Sequence, residues 1–168
     1  MPQYDILVIG AGLAGMRAAL EAHWKGASVA VISKVHPVRS HSNAAQGGIN
    51  AAMPEEGAED TWESHAFDTV KGSDYLGDQD AIEIMAREAP DDIIELEHMG
   101  VIFNRDERGM LGARSFGGAS FARTFFVADI TGQAILHVMY EQLLKSGIFV
   151  YEEWFVTSLI MVDGTCRG

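Results

Sequence analysis

The stretch Tyr4-Asp-Ile-Leu-Val-Ile-Gly-Ala-Gly-Leu-Ala-Gly15 decides the fold. It begins with a short apolar run, up to Ile9, that is typical of a buried parallel strand. Residues 16–25 have helical character and end at Gly26, and residues 28–32 predict a second buried strand. A strand, a helix and a strand within about 30 residues predict a βαβ unit, which requires a parallel sheet.

The glycines of this stretch have the spacing Gly-x-Gly-x-x-Gly between a strand and a helix. We expect Gly10 to make the tight turn, Gly12 to let a pyrophosphate approach the backbone, and Gly15 to let helix and strand pack closely. The N-terminus of the helix would then face the phosphates. A dinucleotide site is therefore predicted, and a purely structural glycine turn is the alternative. The residues predicted to line it are Gly10, Ala11, Gly12, Leu13, Ala14 and Gly15.

The end of the second strand bears on which dinucleotide is bound. An NAD site usually has an Asp or Glu there to hold a ribose, whereas this chain has Ser33-Lys34. This weakens the NAD hypothesis. Ser33 can still hydrogen-bond to an adenosine ribose, and the alternative is that Ser33 only ends the strand.

Residues 34–59 follow neither a helical nor a strand period, and we expect a packed, ligand-lining loop with a short helix. Gly47-Gly48 allow the backbone to pass against a flat ring, and Ala44 and Ala45 leave room for it. Gln46 offers an amide to a ring nitrogen or carbonyl. Arg39 can offset negative charge on a pyrophosphate or on a reduced flavin. This segment is the predicted flavin cradle.

The remaining elements are predicted from capping and turn signals. We expect a helix opened by a capping box at residues 60–63, one capped by Asp78 or Asp80 that ends before Pro90, one from Pro90 to Gly100, and one capped by Thr131 that ends at Gly147. Strands are predicted at 149–153 and 155–162, followed by a hairpin turn at Asp163-Gly164. We expect little of the returning strand, and hence a fragment of a longer protein.

Composition excludes some classes of function. The formal net charge of −12 argues against nucleic acid or an anionic membrane surface as a direct partner. One cysteine, Cys166, excludes an internal disulfide and a multi-cysteine metal site, and we expect no metal. No apolar run approaches the length of a membrane span, and no signal peptide is evident, so a protein facing the cytosol is expected.

Beyond the glycine turn and the flavin cradle, further stretches of the chain resemble the flavoprotein subunit of succinate dehydrogenase and quinol:fumarate reductase. The residues that carry the resemblance are Ser33-Lys34-Val35, Pro37, Arg39-Ser40-His41-Ser42, Ala45-Gln46-Gly47-Gly48, Asp68-Thr-Val-Lys-Gly-Ser-Asp-Tyr-Leu-Gly-Asp-Gln-Asp-Ala-Ile82, Glu95-Leu-Glu-His-Met-Gly100, Phe116-Gly117-Gly118, Arg123, Ala128-Asp129 and Thr131-Gly132. They run along essentially the whole chain, and the stretch from Asp68 to Ile82 is too long for chance.

The resemblance implies an α/β fold, a Rossmann-like FAD-binding domain of the glutathione-reductase type with a parallel sheet and a β-meander. Residues 1–168 would be the N-terminal part of that domain, C-terminally truncated, without the capping and C-terminal helical domains. It also implies FAD bound covalently through C8α to a ring nitrogen of His41. Phe116 is a candidate for an apolar wall beside the substrate, or a core aromatic. The implied cofactor-binding residues beyond the glycine turn are Ser33, Lys34, Val35, Arg39, Ser40, Ser42, Ala44, Ala45, Gln46, Gly47 and Gly48.

The activity implied is the interconversion of succinate and fumarate, with electrons passed to an iron–sulfur subunit. Membrane-anchor subunits would hold the complex at the cytoplasmic face of the cell membrane. Gln46 and the stretch from Asp68 to Ile82 favour succinate oxidation. Gln133 departs from the histidine that related dehydrogenases commonly have, and the stretch after Gly118 is short, as in some fumarate reductases. We expect a succinate dehydrogenase, with fumarate reductase as the alternative.

Two further alternatives are an L-aspartate oxidase, which His41 and the stretch from Asp68 to Ile82 argue against, and a non-catalytic FAD-binding module. No catalytic residue of the family is expected within residues 1–168, so we expect no turnover from these residues alone. His23, His65, His98 and His137 are expected to be core or surface residues, and His36 has no motif support.

Overall fold

The computed structural model describes residues 2–54 and 59–168. The strands are β1 (Ile6–Ile9), β2 (Val29–Ser33), β3 (Ile49–Asn50), β4 (Ala113–Arg114), β5 (Thr124–Phe125), β6 (Phe149–Glu152), β7 (Met161–Val162) and β8 (Thr165–Cys166). The helices are α1 (Leu13–Trp24), α2 (Trp62–Gly72), α3 (Gln79–Met99) and α4 (Thr131–Ser146), and two short 3₁₀ helices cover Pro37–Arg39 and His41–Ala44. The chain divides into two compact units, residues 1–43 with 136–168, and residues 44–135.

The first unit is built on a parallel sheet in the order β1-β2-β6. Ile6 of β1 pairs with Val29 of β2, and Ala30 of β2 pairs with Phe149 of β6. Helix α1 packs on the sheet and buries Met16 and Leu20 completely. The predicted βαβ unit and the α/β fold class are confirmed.

One expectation about this sheet is wrong. Strand β1 was predicted to be buried, but Ile6, Leu7 and Ile9 are 40%, 41% and 54% exposed. The reason is its position, because β1 pairs with β2 and is an edge strand among the described residues. Strand β2, which lies between two others, has the predicted burial, with Val31 fully buried.

The last residues of the first unit form the predicted hairpin. Strands β7 and β8 pair antiparallel, and the turn residues Asp163 and Gly164 have φ of 48° and 75°. Two central residues with positive φ are characteristic of a type I′ turn. The predicted strand over 155–162 is limited to β7, and residues 155–160 are not in a strand.

The second unit contains a small antiparallel sheet in the order β3-β5-β4, and the helices α2 and α3, which pack against each other. Two helices were predicted around Pro90, but α3 is one helix of 21 residues that continues through it. Burial explains the difference, since Ala86, Ala89 and Ile93 are buried on both sides of Pro90. Their packing outweighs the hydrogen bond that proline cannot donate. Of the two predicted caps, Asp78 and Asp80, the first caps this helix, and as predicted Gly100, with φ of 120°, follows it.

Two capping predictions are wrong in detail. Thr61, not Asp60, caps α2, because its side chain accepts from the Ser64 backbone N–H at 3.2 Å. Thr131 is the first residue of α4 and not its cap. Its hydroxyl accepts from the Val127 N–H at 3.0 Å and not from an N–H of the first turn of the helix. The helix α4 ends at Ser146, and Gly147, the predicted stop, follows it with φ of 73°.

The predicted loop over 34–59 contains the two 3₁₀ helices, as expected of a short helix, and also β3. Residues 55–58 of that loop lie outside the described residues. Among the residues that the structure describes, no helix is both long enough and apolar enough to cross a membrane.

Candidate cofactor site

The glycine turn after β1 has the geometry that its spacing predicts. Gly10 has φ of 106°, which favours glycine, and its N–H donates to the Ile32 carbonyl at 2.8 Å. A Cβ on Gly15 would overlap the Gly10 carbonyl oxygen and would lie 3.5 Å from Val8 Cγ1. Helix α1 can therefore approach β1 only because residue 15 has no side chain.

The N-terminus of α1 is open to an anion. Gly12 precedes the helix without a side-chain capping bond, and the first turn contains no acidic residue. The N–H groups at the start of the helix are therefore not capped by a side chain and carry the positive end of the helix dipole. A Cβ on Gly12 would lie 3.3 Å from Ser40 Oγ and 3.6 Å from Ser42 Oγ. The fold thus brings two predicted hydroxyl groups beside the glycine turn, as a pyrophosphate requires.

The end of β2 places Ser33 in a buried position and Lys34 in an exposed one, with Val35 half-buried. Ser33 lies opposite Glu152 in the register of β2 and β6. Glu152, an acidic residue at the end of the strand beside β2, was not predicted from the sequence. Only the pairing register could have revealed it, because Glu152 is far from Ser33 in the chain.

Glu152 belongs to a polar group with two aromatic neighbours. Its carboxylate accepts from the Tyr140 hydroxyl at 3.2 Å and lies 3.6 Å from His36 Nε2. The rings of His36 and Tyr140 meet edge to face, with 5.0 Å between centroids. Burial, and then Glu152, raise the pKa of Tyr140. The phenol therefore stays protonated and donates to Glu152.

His41 is the first residue of the second 3₁₀ helix, and it is exposed, as is Arg39. Ser40 shapes this turn, because its Oγ accepts from the Ser42 N–H at 3.2 Å and its carbonyl accepts from the Asn43 N–H at 3.0 Å. An exposed imidazole on a hydrogen-bonded turn is accessible to a ligand. Its role stays a prediction.

In the second unit, Ala44, Ala45 and Gln46 are exposed. Gly48 has φ of 122°, and a Cβ there would lie 2.5 Å from the Phe125 carbonyl oxygen. A Cβ on Gly47 would lie 2.8 Å from Phe116 Cζ. Gly48 is therefore required for close approach to strand β5, whereas Gly47 lies close to a partly exposed aromatic ring. This segment has the small residues that a flat ring needs.

Arg114 of β4 holds the same segment and was not identified from the sequence. Its Nη2 donates to the Gly47 carbonyl at 2.6 Å. Its guanidinium carbon lies 4.1 Å from the Phe126 ring centroid and 5.6 Å from that of Phe116. Its Nε is buried and has no hydrogen-bond partner among the described residues. No short-range sequence signal marks this arginine.

A buried cluster of charges lies at the start of β5, around Arg123. Arg123, 1% exposed, donates to Asp60, to Asp68 and to Ser64 Oγ. Burial alone would raise the pKa of Asp68, but hydrogen bonds from Ser120 and the charge of Arg123 outweigh it, and the pKa is lowered. This cluster fixes β5, whose Thr124 hydroxyl also donates to Asn50 Oδ1 of β3 at 2.6 Å.

The fold and these two sets of residues define a flavin-binding class of protein. Residues 5–168 match the family described as FAD binding domain, and the chain belongs to that family. The residues present fit FAD, because the open N-terminus of α1 suits its phosphates. FAD is the cofactor of this family of domains.

More particularly, the chain is homologous to one group of flavoprotein subunits. It is 51% identical to the succinate dehydrogenase flavoprotein subunit of Rickettsia bellii over 99% of this chain and 29% of the relative. It is 43% identical to the fumarate reductase flavoprotein subunit of Mycobacterium tuberculosis, over 99% of this chain and 28% of that protein. The chain thus spans less than a third of the length of these relatives.

Solved structures give the same grouping. The Sdh1 complex of Mycobacterium smegmatis in the apo form has a TM-score of 0.92 and 36% identity, over 98% of this chain and 30% of the matched chain. Quinol fumarate reductase of E. coli has a TM-score of 0.90 and 38% identity, over 99% and 28%. The predicted resemblance to these flavoprotein subunits is confirmed.

Proposed function

We propose that the protein containing this chain is the flavoprotein subunit of a succinate dehydrogenase and oxidises succinate to fumarate. The observation that carries the proposal is the 51% identity over 99% of the chain to a relative with that name. Bound FAD supplies the two-electron redox chemistry, and the protein orients it.

In this proposal the glycine turn and α1 bind the pyrophosphate, with Ser40 and Ser42 as hydroxyl donors. Their proximity to Gly12 supports this, since Ser40 Oγ would lie 3.3 Å from a Cβ at residue 12. Ser33 and Lys34 would hold the adenosine side, next to Glu152. The segment from Ala44 to Gly48 would hold the flavin ring, with Gln46 donating to it and Phe116 as the apolar wall.

His41 is the proposed site of covalent attachment. Its exposure on a turn fixed by Ser40 leaves the imidazole accessible, and the surrounding Arg-Ser-His-Ser sequence carries the resemblance to the family. A covalent bond at this position would raise the flavin potential and so favour removal of a hydride from a carbon–carbon single bond.

The partners are proposed from the same likeness. The relatives are named as subunits, and one matched structure is called a complex. We propose that an iron–sulfur subunit accepts the electrons and that membrane-anchor subunits hold the assembly at the cytoplasmic face of the membrane. Co-purification of an iron–sulfur protein with the full-length subunit is the expected outcome, and purification of a free, fully active flavoprotein would contradict it.

Fumarate reduction is the second candidate. The observations that favour it are Gln133 at the start of α4 and the 43% identity to a fumarate reductase flavoprotein subunit. Gln46 favours the succinate direction. The ratio of succinate oxidation to fumarate reduction by the full-length enzyme, measured with artificial dyes, distinguishes the two.

The experiment that tests the proposal begins with acid precipitation of the full-length protein. Flavin that stays with the pellet, together with a tryptic peptide containing His41 that carries the added mass of FAD, is the expected result. Succinate should then reduce a dye. Release of all flavin into the supernatant would refute covalent attachment, and peroxide formation from aspartate in place of succinate oxidation would refute the substrate.

A further inference from the structure

Arg114 brings a positive charge into the segment proposed to hold the flavin ring. No ion pair with a carboxylate within the described ranges 2–54 and 59–168 is found for its guanidinium, whereas Arg123, Arg105 and Arg87 each have one. Its contacts are the Gly47 carbonyl and the faces of Phe126 and Phe116. An arginine stays protonated at physiological pH, so this charge is permanent.

The buried Nε of Arg114 is the second observation. It has no hydrogen-bond partner in the described part of the chain. Leaving a buried charged donor without an acceptor is costly, so such donors are normally satisfied. An acceptor from outside the described residues would satisfy it. The adjacent Gly47, whose carbonyl accepts from Arg114, belongs to the segment proposed to hold the cofactor ring.

We propose that Arg114 is a flavin-positioning residue, whose Nη2 fixes the Gly47 carbonyl while its Nε–H donates to an acceptor atom of the flavin ring. This rests on the proposed function. The charge acts on the redox balance, because two-electron reduction with uptake of one proton adds one negative charge to the ring. A cation nearby favours the reduced form and raises the potential.

We therefore assign to Arg114, and not to Arg39, the role of the cation beside the flavin ring. Arg39 is exposed and lies in the 3₁₀ helix Pro37–Arg39 of the first unit. Arg114 is half-buried and is hydrogen-bonded to the ring-binding segment itself. Water screens an exposed charge much more strongly than a partly buried one.

The test uses the full-length protein and three variants, Arg114→Met, Arg114→Lys and Arg87→Met. Arg87 is a matched control, because its guanidinium also lies over an aromatic ring, 3.8 Å from the centroid of Trp62, but it is exposed on α3. FAD content and thermal unfolding are measured first. The midpoint potential of the bound FAD, its visible spectrum and the dissociation constant of malonate, a non-reacting dicarboxylate, follow.

We expect Arg114→Met to weaken the preference for reduced FAD at least tenfold, which lowers the midpoint potential by about 30 mV for a two-electron couple. Arg114→Lys keeps the charge but lacks the fork of donors, so it should keep most of the potential and shift the flavin absorbance. If Arg114→Met does not fold, the change in flavin absorbance of Arg114→Lys still tests the proposal. Arg87→Met should change neither.

An unchanged potential and spectrum in both Arg114 variants, or the same shift in Arg87→Met, would overturn the proposal. If the potential stays constant while the malonate dissociation constant rises tenfold, the acceptor is a dicarboxylate oxygen, and the assignment to flavin is wrong. A wild-type protein without FAD would instead refute the proposed function itself, and with it any flavin partner for Arg114.

Discussion

Arg123 and Asp60 are joined by two parallel hydrogen bonds, from Nε to Oδ2 at 2.9 Å and from Nη2 to Oδ1 at 2.7 Å. The third guanidinium nitrogen donates to Asp68 at 3.0 Å. A planar, bidentate pair of this kind combines geometric specificity with strength. Residues distant in sequence are thereby locked to the start of β5, which supports Gly48.

Removal of the Arg123 charge should destabilise the protein strongly. Arg123→Met leaves Asp60 and Asp68, 15% and 10% exposed, without their cation. Loss of one partner of a buried pair costs about 3–5 kcal/mol in the free energy of unfolding. Chemical denaturation of the full-length protein measures it. Arg87→Met, which breaks an exposed pair, should cost less than about 1 kcal/mol, and equal costs would contradict the role of burial.

His65 should make the protein sensitive to mild acid. It is 2% exposed, and burial, followed by the charge of Arg123, lowers its pKa below the ordinary 6.5. Between the folded and the ordinary pKa, the unfolded state binds a proton that the folded state does not. Stability is therefore complete above about pH 6.5 and decreases as the pH falls towards the folded pKa.

His65→Leu removes this titration with an apolar side chain of similar size. We expect its melting temperature to fall less than that of the wild type between pH 7.5 and pH 5.5. Asp68 does not contribute in this range, because its pKa is lowered from 3.8 and its stabilisation is lost only in stronger acid. If the melting temperatures of the two proteins fall equally between pH 7.5 and pH 5.5, His65 is not the group that makes the protein sensitive to acid.

The two glycines of the ring-binding segment should respond differently to alanine. In Gly48→Ala the new Cβ meets the Phe125 carbonyl oxygen at 2.5 Å, and φ is 122°. Backbone strain of this kind costs about 1–3 kcal/mol. In Gly47→Ala the Cβ meets the Phe116 ring, which is 49% exposed and can rotate. Denaturation midpoints and FAD content should fall clearly for residue 48 and little for residue 47, and the reverse order would contradict this account.

Pro90→Ala should stabilise the protein. Helix α3 passes through Pro90 without an N–H for the Ala86 carbonyl. Alanine restores that bond, and we expect a gain of about 1–3 kcal/mol, since proline within a helix costs about 3 kcal/mol. The measurement is the unfolding free energy. Gln79→Pro, at the first residue of the same helix, is the comparison, and it should cost less stability than proline in the helix interior does. A loss of stability in Pro90→Ala would show that the proline ring itself contributes packing.

Local signals predicted the elements that local chemistry determines. The glycine turn, the cap at Asp78 and the hairpin at Asp163-Gly164 each depend on a few consecutive residues, and each was predicted. The predicted helix end before Pro90 was wrong, because the burial of Ala86 and Ile93 in the tertiary structure keeps the helix continuous. Asp60 misled because its carboxylate binds Arg123, far along the chain, instead of a helix end.

The residues of the candidate site also fall into those that local motifs predict and those that only the tertiary structure reveals. Gly12, Ser40 and Ser42 could be predicted because they lie in or near recognisable motifs. Glu152 and Arg114 could not, because the first depends on the register of β2 with β6, and the second on the pairing of β4 with β5. Such partners are set by distant residues, and the sequence around each of them carries no sign of the site.

The pairing of Ala30 with Phe149 has a consequence for synthesis of the chain. At roughly 5–20 residues per second, β6 leaves the ribosome roughly 6–24 s after β2. During that time residues 44–135, which form the second unit, emerge in full and can pack their own core. Strand β2 meanwhile has β1 as its partner and an open edge on the other side. We therefore expect the second unit, residues 44–135, to fold first during synthesis. The parallel sheet of the first unit is completed only when β6 has been made.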